Sequence, residues 1–188
     1  MNTPNKLTVF RIVITPIFLV FLLYERIPHH FLLAFLVFLT ASITDFIDGR
    51  LARKNNQITE IGKIMDPIAD KMLTTAALLG FLKFGLCSVW VIMVILTREF
   101  AVTGLRMASS LQNKVIPANI FGKIKTAMQM VFSSGILLFS EINIYKKIID
   151  DNIFSAVSNV LFWITAVMAV VSGIIYIIKS KAIIDFSK

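Results

Sequence analysis

Acidic residues are scarce in this chain: 11 Asp and Glu in 188 positions, against 19 Lys and Arg. Cysteine occurs once, as Cys87, which excludes an intrachain disulfide and a cysteine metal cluster and reads as a small core residue. Histidine occurs only as His29 and His30, in a short polar turn away from any cluster of acids, so both read as interfacial rather than as ligands. Period-two alternation in short segments is absent, which excludes a membrane β-barrel. The basic, apolar start lacks a small-x-small cleavage site and more apolar runs follow, so the first run reads as a span and not a removable signal. No later segment echoes the acidic motif described below, which argues against the inverted repeats of a transporter.

What is present is apolar side chain. Hydrophobic residues make up 57% of the sequence, mean hydropathy is +0.81, and mostly apolar runs of about 18 to 25 residues recur, each enough to cross a bilayer core. The reading is an all-α fold, a polytopic membrane bundle of six transmembrane helices forming a single domain over 1–188. The expected spans are about 7–24, 31–52, 62–84, 86–107, 118–139 and 153–178, with residues 141–151 as a polar connector. Asn5 or Thr8 is expected to cap the first helix, and Gly85 to interrupt the chain between the third and fourth. The net charge of +8 sits at one set of span ends, which is the positive-inside bias and not a nucleic-acid surface. Both termini are therefore expected in the cytoplasm, with that face of the bundle facing inward.

Four aspartates fall in one window: Asp45-x-x-Asp48-Gly49-x-x-Ala52-Arg53, eight residues, then Gly62-x-x-x-Asp66-x-x-x-Asp70. At about 100° per residue, Asp45, Asp48, Gly49 and Ala52 share one stripe of the second helix, and Asp66 and Asp70 are an i, i+4 pair on the third. An aspartate at mid-bilayer costs about 2.5 to 3.5 kcal/mol, so four near one depth need compensation. A salt-bridge network with Arg50, Arg53, Lys63 and Lys71 would supply charge but gives no reason for Gly49 and Ala52. A divalent cation held by oxygens, Mg²⁺ or Mn²⁺, balances the charge and leaves room for a bulky phosphorylated ligand.

This window resembles the signature of the CDP-alcohol phosphatidyltransferase family, and all eight defining positions match. The resemblance implies a six-span homodimer that binds two divalent ions, Mg²⁺ or Mn²⁺, with membrane lipid around it and no nucleic acid. It implies Asp45, Asp48, Asp66 and Asp70 at the metals, with Asp70 as general base, and Asn5, Thr8, Asp48, Gly49, Ala52 and Arg53 at the nucleotide. Thr97-Arg98-Glu99, Gly104-Leu105-Arg106, Gly122-Lys123-x-Lys125-Thr126-x-x-Gln129 and Pro4-Asn5-x-Leu7-Thr8-x-x-Arg11 are similar to the phosphatidylglycerophosphate synthase branch. That branch implies transfer from CDP-diacylglycerol to sn-glycerol 3-phosphate at a bacterial-type cytoplasmic membrane, with CMP leaving. Arg98, Arg106, Lys123 and Lys125 then hold the acceptor's phosphate, although a local pair of Arg98 with Glu99 would also account for an arginine inside an apolar run. The competing readings are a family member with another acceptor, such as a cardiolipin synthase or inositol-phosphate enzyme, and a cation transporter with its aspartates at mid-span.

Overall fold

The computed structural model describes the backbone of residues 3–54, 60–112 and 119–181. Side chains are described over the same residues except 3–7, 45–54, 60–64, 66, 70 and 111. Six helices follow one another: α1 (Thr3–Leu23), α2 (His30–Lys54), α3 (Glu60–Lys83), α4 (Val89–Leu111), α5 (Ile120–Lys146) and α6 (Asp151–Lys181). No strand occurs among the described residues. The shortest helix has 21 residues, about 30 Å at the α-helical rise. α5 and α6 are long and apolar enough to cross a bilayer, and α1 and α2 carry the apolar stretches Thr8–Leu23 and His30–Thr44.

Polarity is distributed as a lipid solvent requires. The buried face of α6 is Ser158, Phe162, Thr165, Ala166, Ala169, Ser172, Gly173, Tyr176 and Ser180, mostly small or polar. Its outward face carries Val157, Val160, Trp163, Val167, Val170, Ile174 and Ile178. α5 likewise buries Lys125, Gln129, Ser133, Ser140, Glu141 and Asn143 while exposing Val131 and Leu138. Among lipid tails there is no hydrophobic drive between helices, so small side chains that permit close approach and polar groups that bond across the interface line the contacts.

α1 packs on α2 and α3, α6 packs on α4 and α5, and α2–α5 and α3–α4 contacts join the two groups. The shared core includes Phe18 tilted against Phe38 (5.7 Å between centroids) and Phe81 against Phe162 (5.4 Å). Gly80 lets α3 close on α1: a Cβ there would lie 2.1 Å from Leu22 Cδ2. At the end of α3, Gly85 adopts φ +68°, with Gly85 N–H donating to Leu82 O (3.0 Å) and Leu86 N–H to Phe81 O (2.8 Å). This is a Schellman stop, which only glycine adopts without strain, and it realises the expected break. Ser155 Oγ and Asn159 Nδ2 of α6 both donate to Gly85 O, fastening that turn to the bundle.

Three expectations are corrected. α1 begins at Thr3, so Asn5 and Thr8 lie inside the helix and are not its caps. α4 runs on to Leu111, past the expected limit at 107. α5 continues to Lys146, through residues read as a connector. The cause is visible at Glu141: its Oε1 is 2.6 Å from His29 Nδ1 and its Oε2 accepts from Leu32 N–H (3.1 Å). A buried carboxylate thus caps the start of α2 from another helix. Asn143, also buried, donates to Asp151 Oδ1 (3.0 Å) and accepts from Ile149 N–H (3.0 Å), closing the turn into α6.

Candidate acceptor site beside the aspartate segments

A cavity of about 730 Å³ opens between α2, α3, α4, α5 and α6. Its lining includes Lys71, Arg98, Arg106 and Lys123, with Glu99 as the one carboxylate among its described residues. Among the described lining side chains four cations stand against one acid, an excess that favours an anion on that part of the wall. That volume suits a small phosphorylated molecule.

Arg98 is held in place rather than left to sample solvent. Its Nη1 donates to Glu99 Oε1 (2.8 Å) and its Nε to Ser172 Oγ of α6 (3.1 Å). Two glycines make the slot: a Cβ on Gly122 would sit 2.9 Å from Arg98 Nη2, and one on Gly173 would sit 3.1 Å from Arg98 Cγ. The local pair with Glu99 therefore exists, and the same guanidinium lines the cavity.

Lys123 and Lys125 are separated by the helix. Lys123 is exposed and lines the cavity. Lys125 is buried and does not belong to the lining; its Nζ donates to Glu99 Oε1 at 3.0 Å. Residues two positions apart on an α-helix differ by about 200°, so one faces the opening while the other turns inward. Arg106 lies over the ring of Tyr176, 5.4 Å from guanidinium carbon to centroid, an arrangement that fixes its direction. Asn119 caps α5 by accepting from Phe121 N–H (3.2 Å), so the positive end of that helix also borders the cavity.

Sequence reasoning missed Lys71, Asn119 and Tyr176 as cavity residues. Lys71 directly follows Asp70 and its Nζ donates to Pro67 O (3.3 Å); its place beside the motif was the signal. Tyr176 is the one tyrosine of an otherwise uncharged apolar stretch.

Asp45 and Asp48 lie in the last turns of α2, and Asp66 and Asp70 in the first turns of α3. Ser42 and Ile43, just before Asp45, and Lys71, just after Asp70, line the cavity, so the backbone brings the acidic turns to its border. The side chains of these four aspartates, and of Asn5, Gly49, Ala52, Arg53 and Gly62, lie outside the described residues. Among the described side chains no group of three metal-ligating residues occurs. Thr8 is described and is buried on α1, one turn before the buried Arg11.

Known proteins share much of this sequence. A chain from Bacillus subtilis (strain 168) called CDP-diacylglycerol--glycerol-3-phosphate 3-phosphatidyltransferase is 38% identical over 190 residues, covering 95% of each chain. One of the same name from Rickettsia bellii (strain RML369-C) is 36% identical over 177 residues, covering 93% of each. A probable phosphatidylglycerophosphate synthase of Mycobacterium tuberculosis (strain ATCC 25618 / H37Rv) is 46% identical over 133 residues, 69% of this chain and 63% of that one. With the CDP-alcohol phosphatidyltransferase family model matching residues 1–172, the chain belongs to that family.

Proposed function

We propose that this protein transfers the phosphatidyl group of CDP-diacylglycerol to sn-glycerol 3-phosphate, giving phosphatidylglycerophosphate and CMP. The observation that carries the reading is the cation-lined cavity bordered by the acidic turns of α2 and α3. An acceptor that already bears a phosphate needs a second anion site beside the one for the activated lipid, and this cavity supplies it. The names of the relatives from Bacillus subtilis and Rickettsia bellii support the same choice of acceptor.

In this reading Arg98, Arg106, Lys123 and Lys71 hold the acceptor's phosphate, and Glu99 with Ser172 fixes the direction of Arg98. Lys125 acts through Glu99 and not on the ligand. Asp70 takes the proton from the attacking hydroxyl, whose oxygen forms the new bond to the β-phosphorus as the bond to CMP breaks. Asn5, Thr8, Asp48, Gly49, Ala52 and Arg53 surround the nucleotide, where absent side chains admit it closely and Arg53 meets a phosphate. The donor chemistry of Asp45, Asp48, Asp66 and Asp70, all hard oxygens carried at the facing ends of two consecutive helices, fits Mg²⁺ or Mn²⁺. When bound there, divalent metal would neutralise charge building on the pyrophosphate and the departing CMP.

The protein works as a single domain and a homodimer in the cytoplasmic membrane, with the cavity and both termini on the cytoplasmic side. The cationic residues on that side support the orientation. The test is CMP release by the purified protein from CDP-diacylglycerol, with glycerol 3-phosphate, phosphatidylglycerol and inositol phosphate as acceptors and with Mg²⁺ or Mn²⁺ varied. Release that needs metal and prefers glycerol 3-phosphate is expected; preference for another acceptor, or metal flux in vesicles without CDP-lipid, overturns the reading.

A further inference from the structure

Two neutral polar atoms in the cavity are buried without a hydrogen-bond partner among the described residues. Asn119, 8% exposed, uses Oδ1 to cap α5, while its Nδ2 is unpaired. Tyr176, 1% exposed, sits against Arg106 with its Oη unpaired. Both line the same cavity as Lys71, Arg98, Arg106 and Lys123. Burying such a group unpaired is unfavourable, and folding does not call for either atom. Serine would cap α5 as well as asparagine, and phenylalanine would keep the ring beneath Arg106. Tyr176 also lies beyond residues 1–172, the part matched by the family as a whole.

We propose that Asn119 Nδ2 and Tyr176 Oη form a neutral subsite that reads the acceptor alcohol. Asn119 Nδ2, which only donates and lies at the positive end of α5, bonds a phosphate oxygen. Tyr176, which both donates and accepts, bonds the secondary hydroxyl of the glycerol unit. The cations attract any small phosphate; the neutral pair selects the alcohol that carries it. A site built around hydrogen bonds to a hydroxyl discriminates against an analogue lacking it, because its own buried groups are then left unpaired. This inference rests on the proposed activity.

The experiment compares the full-length purified protein with Asn119→Ser and Tyr176→Phe in the CMP-release assay. Glycerol 3-phosphate and CDP-diacylglycerol are varied separately, and 3-hydroxypropyl phosphate, which keeps the primary hydroxyl and lacks the secondary one, is run in parallel. Each substitution should raise KM for glycerol 3-phosphate about three- to tenfold, as losing one neutral hydrogen bond does, with KM for CDP-diacylglycerol held within about twofold. Tyr176→Phe should also shrink the preference for glycerol 3-phosphate over the deoxy analogue by a similar factor. Thermal stability should not fall, since a buried unpaired group has been removed. Unchanged acceptor KM and preference overturn the subsite, as do equal effects on both substrates or a large drop in Tm. If the wild-type protein uses a different phosphorylated alcohol, the proposed activity fails, and the same two variants judge the subsite with that alcohol.

Discussion

Glu99 is the point where the site is most exposed to a single change. Its Oε1 receives both Arg98 Nη1 at 2.8 Å and Lys125 Nζ at 3.0 Å, and the three side chains are only 11%, 17% and 3% exposed in the order Arg98, Glu99, Lys125. At an effective dielectric of about 20, each contact is worth about 5–6 kcal/mol before desolvation, and desolvation cancels much of that. Because both nitrogens touch one oxygen, they lie within about 6 Å of each other, and without the acid their repulsion is about 3 kcal/mol at the same dielectric. Glu99→Ala should therefore destabilise the protein by about 3–5 kcal/mol, a fall of roughly 6–20 °C in Tm for a chain of this length. Unfolding can be followed with a thiol-reactive fluorophore, since the one cysteine is buried in the folded state. A double-mutant cycle of Glu99→Ala with Lys125→Met isolates the contact, and the coupling should be about 1–3 kcal/mol. With the proposed activity in hand, Glu99→Ala should also raise KM for the phosphorylated acceptor more than KM for CDP-diacylglycerol, because Arg98 loses its anchor. A stability loss below about 1 kcal/mol together with coupling near zero would refute this reasoning.

Three further outcomes are expected. Gly80→Ala places a methyl 2.1 Å from Leu22 Cδ2 in a fully buried contact and should cost about 1–3 kcal/mol by overpacking; thermal unfolding checks it, and shortening the partner with Leu22→Ala should restore part of the loss. Burial pushes the Cys87 thiol up from 9.0 to about 12, so folded protein should resist maleimide at pH 8 and react fully once unfolded. Because the folded state keeps the proton that the unfolded state gives up, the stability tied to this thiol is complete below pH 9.0 and declines as pH rises from there toward about 12. Asp70→Asn should lower kcat by about 100-fold or more if this carboxylate is the base, with CDP-diacylglycerol binding retained; an unimpaired kcat would remove Asp70 from that role.

The acidic window and the cationic cluster were legible in the sequence for different reasons. Carboxylates are so costly in an apolar chain that Asp45, Asp48, Asp66 and Asp70 stand out without any coordinates. Arg98 stands out for the same reason. Helix limits were less legible because apolarity marks only the part of a helix that meets lipid. α5 extends through Glu141 and Asn143 because each finds partners on other segments, and no local pattern announces a partner more than 100 residues away.

The amino-acid sequence by itself determined the helical class, the family signature and which side chains bear charge, since each depends on local composition and spacing. Only the tertiary structure decided what those charges face: Lys123 into the cavity, Lys125 onto Glu99, Arg98 between two glycines of α5 and α6, with Asn119 Nδ2 and Tyr176 Oη on the same cavity wall. Partnership is set by how helices distant in sequence cross, and a linear pattern carries no direct record of those crossings.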